Sequence, residues 1–103
     1  SDVSFASICA KEAACREAQI HYLKIIEDIE ATPELLTTLT AYLLDHESSM
    51  ANTAKALCCH INTIKYRLNA IRDNTGYSPS KPADVYPLLI AVAINRMRNS
   101  ENE

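Results

Sequence analysis

One glycine, Gly76, serves a chain of 103 residues. The tight turns that join antiparallel strands draw heavily on glycine at positive φ, so hairpins have little to build on here. No segment alternates apolar and polar residues over a useful length, whereas apolar residues recur in steps of three and four along most of the chain. The chain therefore reads as all-α. The same scarcity removes any glycine-rich phosphate loop or dinucleotide fingerprint. Apolar residues make up 48%, enough for one small domain around a single core rather than a disordered chain.

The helical pattern divides into about five segments. From Ser4 to about Glu30, Phe5, Ile8, Cys15, Ala18, Tyr22, Leu23, Ile26 and Ile29 form a helical seam, with a break expected between Ile8 and Ala18. Glu27, Asp28 and Glu30 at its end oppose a helix C-terminus. Thr32-Pro33-Glu34 is a start signal: a capping residue, a proline suited to the first helical position and an acid suited to the dipole. That helix is expected to reach about Asp45, with Leu35, Leu36, Leu39, Tyr42 and Leu43 inward. Ser49 caps a short helix from Met50 to about Leu57, and Asn62 is placed as the cap of the next, Thr63 to about Asn74, which Gly76 ends. After the loop YSPSKP, a last helix starts near Pro82 to Asp84 and reaches about Arg98, with Leu88, Ile90, Ala91, Ile94 and Met97 expected in the core; Pro87 early in it implies either a start later than Pro82 or a kink there. This organises the chain as a helical arm over 1–30, a helix-turn-helix unit over 31–98 and a frayed tail over 99–103.

Charge is unevenly placed along this pattern. Residues 1–49 carry a net charge of −6, residues 73–103 a net of −1, and residues 50–72 hold Lys55, Lys65, Arg67 and Arg72 with no acid. An acidic chain thus collects its positive charge in the two short helices around residue 60, where a local basic patch points to a polyanion. Ala54 allows close crossing of those helices, and Cys59 is a small apolar plug after the turn. With Ile64 at zero on a helical projection, Leu68 falls at about 40° and Ile71 at about 340°, one inward face. The opposite face collects Asn62, Tyr66, Asn69 and, further along, Asp73, flanked by Thr63 and Lys65. In a helix-turn-helix the second helix enters the major groove with its N-terminal residues at the bases. Asn62, Thr63 and Tyr66 are therefore expected at base edges, Lys65 at guanine or phosphate, and Arg67 at phosphate with help from Lys55 and His60.

These residues also carry a resemblance. Thr38-Leu39 with Tyr42-Leu43, Thr53-Ala54 with Leu57, and His60, Asn62-Thr63, Tyr66-Arg67-Leu68 and Ile71 resemble the C-terminal helix-turn-helix of bacterial regulators of the PucR/CdaR type, over roughly residues 33–97. Cys58 in the turn, Lys65 and Pro87 are mild departures from that pattern. The resemblance implies a transcription-regulator domain that binds double-stranded DNA as a homodimer in the cytoplasm, with any effector bound by a region outside this sequence. It implies no cofactor.

Other readings of the residues are weaker. Cys9, Cys15, Cys58 and Cys59 include no C-x-x-C pair and are expected as free, small apolar side chains, with a metal site at His60 or a thiol switch as alternatives. His21, His46 and His60 pair with no nucleophile, so an enzyme is not expected. No apolar run is long enough to cross a membrane. No signal peptide is visible, and the start without methionine reads as part of a longer protein. The rival function is a helical interaction module that meets no DNA directly, with the seam of residues 1–30 as its arm or, more commonly for such a stripe, packed on its own domain.

Overall fold

Every helix between residues 33 and 75 is placed by the apolar side of one of them. In the computed structural model, which describes residues 16–101, residues 16–25 form helix α1, followed by a 3-10 turn at Glu27–Ile29. Helix α2 spans Pro33–Thr40 and continues as a π-helical turn at Ala41–Asp45; α3 spans Met50–Ala56, α4 Ile61–Thr75 and α5 Pro82–Glu101. Among the described residues there is no strand. Helix α4 packs against α2, α3 and the 3-10 turn, while α5 packs on α2 and its π turn. The core joins Ile26 and Ile29 to Leu39, Ile64, Ile71, Leu88 and Val92, all fully buried. Phe5, Ile8, Cys9 and Cys15 lie outside the described residues, as does the break expected between Ile8 and Ala18 in part.

Local chemistry explains most boundaries. The α-helical part of the first segment stops at residue 25, short of the expected Glu30. Glu27 and Asp28 instead occupy the first turn of the 3-10 segment, where negative charge meets free N–H groups rather than free carbonyls. Pro33 opens α2 as expected, but Thr32 makes no capping bond with its side chain. Past Thr40 the helix widens: the His46 N–H bonds the Ala41 carbonyl at 3.0 Å, five residues back. Three consecutive residues of this turn, Ala41, Tyr42 and Leu43, are all buried. Glu47 and Ser48 then turn the chain with φ of 49° and 62°.

Helix α5 departs from expectation in which face it buries. Leu88, Ala91 and Val92 are in the core, Ile90 and Ile94 are half-buried, and Met97 is 63% exposed. The placement of Met97 in the core is thus corrected: α5 is apolar on two sides, and periodicity alone does not rank them. The helix also runs to Glu101, past the expected end at Arg98 and into the expected tail, and carries Pro87 inside it. Both guanidinium NH groups of Arg96 bond Asp45, at 2.9 and 2.8 Å, fixing α5 to the π turn. Those hydrogen bonds, helped by Arg96's charge, hold the Asp45 carboxyl below its ordinary value despite partial desolvation. So exposed a pair adds little stability; its effect is to set the angle of α5.

Ile64 has no exposed surface and sits where α4 meets the core. Ile64→Ala is expected to cost about 2–5 kcal/mol, read as a lower denaturation midpoint. An unchanged midpoint would contradict the central position of this face.

Candidate nucleic-acid interface

The α3–α4 unit is assembled by caps. The Ser49 hydroxyl accepts from the Asn52 N–H at 3.1 Å, and the buried Thr53 hydroxyl donates to the Ser49 carbonyl at 2.7 Å. At the other end of α3, the Cys58 N–H bonds the Lys55 carbonyl at 3.2 Å and the Cys59 N–H bonds the Ala54 carbonyl at 3.0 Å. This pair of bonds is a Schellman closure, which needs a left-handed residue at its first position. Cys58 supplies it with φ of 56°, a conformation that favours glycine. Cys59 lies half-buried against the core beside buried Ala54, so the plug expected after the turn is in place.

Helix α4 begins two residues earlier than expected, at Ile61, and its cap is His60 rather than Asn62. The His60 Nδ1 accepts from the Asn62 N–H at 3.0 Å. An accepting Nδ1 leaves the proton of a neutral imidazole on Nε2. Asn62 is thereby freed from capping and stands exposed on the first turn. The C-terminus follows expectation: Gly76 has φ of 80° and its N–H bonds the Arg72 carbonyl at 2.8 Å.

The two faces of α4 separate as the projection requires. Ile64, Leu68 and Ile71 are buried, at 0%, 3% and 0% exposure. Tyr66 is 72% exposed on the far side, and Asn62, Lys65 and Asn69 are exposed with it, Thr63 half so. Lys55 and His60 are exposed at the α3 end and the turn. Arg67 is placed differently from these. Its guanidinium donates to the Thr38 hydroxyl at 3.1 Å, reaching from α4 to a wholly buried side chain of α2. Arg72 pairs with its neighbour Asp73 at 3.2 Å. Among the described residues no carboxylate lies within ion-pair reach of Lys55 or Lys65, so their charge faces outward uncompensated. No group of three or more metal-ligating side chains occurs among the described residues.

A model of the PucR C-terminal helix-turn-helix domain matches residues 35–94, more than half of the chain. The chain belongs to this family. The PucR-type assignment makes it a domain of the DNA-binding regulator class. An uncharacterized protein of Mycobacterium bovis and one of Mycobacterium tuberculosis are each 40% identical to it over 68 residues, which is 66% of this chain. The chain spans about 16% of the length of these relatives. No solved structure matches it significantly. No helix among the described residues is long and apolar enough to cross a membrane.

The Arg67–Thr38 bond and the His60 cap were not legible beforehand. The first joins residues 29 positions apart; the second differs from the expected cap by a two-residue shift that no spacing rule distinguishes.

Two outcomes follow from this geometry. Cys58→Gly relieves the left-handed strain and is expected to leave stability unchanged or raise it by up to about 1 kcal/mol, whereas the β-branched Cys58→Val is expected to lower it by more than about 1 kcal/mol; thermal unfolding of both variants checks this. Arg67→Met leaves the buried Thr38 hydroxyl unpaired, at an expected cost of about 1–3 kcal/mol, and adding Thr38→Val is expected to recover much of it. A double variant no better than the single one would show that the bond carries little.

Proposed function

We propose that α3 and α4 bind double-stranded DNA, with α4 in the major groove, as the DNA-reading end of a bacterial transcription regulator. The observation that carries this reading is the outward face of α4. A helix held rigidly by three buried aliphatic residues presents an exposed tyrosine, two exposed amides and an uncompensated lysine to solvent. Amide and phenol groups read base edges, and cations at their margin hold phosphate. The PucR-family match over these residues supports the same reading.

Within it, Asn62, Thr63, Tyr66 and Asn69 reach toward base edges. Lys65 and Lys55 meet phosphate, and His60 adds an Nε2–H donor beside them while its Nδ1 holds the start of α4. Arg67 acts first as a strut to α2, with further guanidinium N–H groups free to meet the backbone of the duplex. The working form is a homodimer acting in the cytoplasm on a site with two half-sites one helical turn, or a multiple, apart. The effector is bound by another part of the regulator. The reaction asked of the domain is binding alone, with no catalysis and no cofactor.

Selection from a random duplex library with the purified chain, at two salt concentrations, tests this. An enriched motif whose retention falls with salt is expected. Asn62→Ala and Tyr66→Ala should each weaken binding to that motif by about 1–3 kcal/mol with little change in stability. Lys65→Ala should flatten the salt dependence for all sequences alike. Equal retention of all duplexes with no response to salt would overturn the proposal.

A further inference from the structure

The second apolar side of α5 is a surface that DNA binding leaves unexplained. Placing Tyr86 at zero on α5 puts Ile90 at about 40°, Ala93 at about −20° and Met97 at about 20°, while the core residues Leu88, Ala91 and Val92 lie between about 140° and 240°. Tyr86 and Met97 are 65% and 63% exposed, and Ile90 and Ala93 between them are half-buried. Spacings of four, three and four along this stripe are those of the a and d positions of a coiled-coil seam. An exposed apolar strip of this length marks an interaction surface.

We infer that this face pairs with the same face of a second copy, antiparallel, to make the dimer. The stripe is self-complementary when reversed. Tyr86 falls opposite Met97 of the second copy and Ile90 opposite its Ala93, so each large side chain meets a flexible or small one. Both pairs share one centre, between Ala91 and Val92, as a two-fold axis requires. In seam terms each d position meets an a position, the register of antiparallel helices. Charge does not oppose the pairing. Arg96 flanks the seam, but its guanidinium is committed to Asp45, and the reversed copy sets Pro87 against it.

The area fits a weak, concentration-dependent association. Helix α5 has 20 residues, a length of about 30 Å. Helix α1 approaches this side, since Gln19 shares a shallow depression with Ile94, Met97 and Arg98. One helix width of about 10 Å over that length, with the ten residues of α1 adding about 15 Å of a second, gives about 450 Å² per copy, the size of a weak, transient contact. Because α5 is seated on α2 and the π turn, pairing through it leaves the Tyr66 face of α4 open. The inference supplies the pairing that the DNA reading calls for, yet it is tested without DNA.

Analytical ultracentrifugation of the 103-residue chain from about 10 µM to 1 mM is the experiment, a range that brackets micromolar association. The chain is expected to show a concentration-dependent dimer. Met97→Glu and Tyr86→Lys alone should each weaken association about tenfold or more while helical circular dichroism is unchanged. An equimolar mixture of the two should recover it, because only the mixed dimer sets the introduced charges opposite one another. Tyr66→Ala should dimerise normally, which separates failure of this inference from failure of the DNA reading. A chain that stays monomeric at every concentration, a dimer indifferent to both substitutions, or a mixture without recovery would overturn the inference.

Discussion

The burial of one side of α4 is the constraint on which the rest depends. Ile64 and Ile71 have no exposed surface, and the core that closes over them draws residues from the 3-10 turn, α2 and α5. Because a helix is rigid, fixing that side fixes the opposite one. Tyr66 and Asn69 are exposed because Ile64, Leu68 and Ile71 are not. Stability and the presentation of that exposed face are thus one physical fact.

Two smaller devices set the angle of that surface. The left-handed Cys58 lets the chain leave α3 and enter α4 within a few residues, with the N–H groups of Cys58 and Cys59 both satisfied. The Arg67–Thr38 bond then ties the middle of α4 to α2. A cation that sequence alone assigns to phosphate is therefore also a strut. The remaining positive charge is thin: Arg72 is paired with Asp73, which leaves Lys55 and Lys65 as the outward cations of the turn region. In an otherwise acidic chain, such a patch favours a polyanion on one side only, and the acidic remainder limits indiscriminate adhesion.

Helix α5 shows how one element serves two demands. Its inner side carries Leu88, Ala91 and Val92 into the core, and its outer side carries Tyr86 and Met97 into solvent. A helix apolar on both sides is satisfied when both are covered. The bidentate Arg96–Asp45 pair holds its orientation from the edge.

The sequence by itself determined what local chemistry decides. Proline at the start of α2, the Ser49 cap of α3, Gly76 at the end of α4 and the period of Ile64, Leu68 and Ile71 each act within a turn or two of chain, so the all-α class, the helix-turn-helix and its exposed face were legible. Tertiary structure decided what depends on distant partners. Which side of α5 faces inward, where Arg67 points and how α2 widens into a π turn are set by residues up to 51 positions away. His60 rather than Asn62 caps α4, a choice between two able side chains that packing of the turn makes. Periodicity counts apolar positions but does not rank two stripes of equal apolarity; only the surfaces that other helices present can do that.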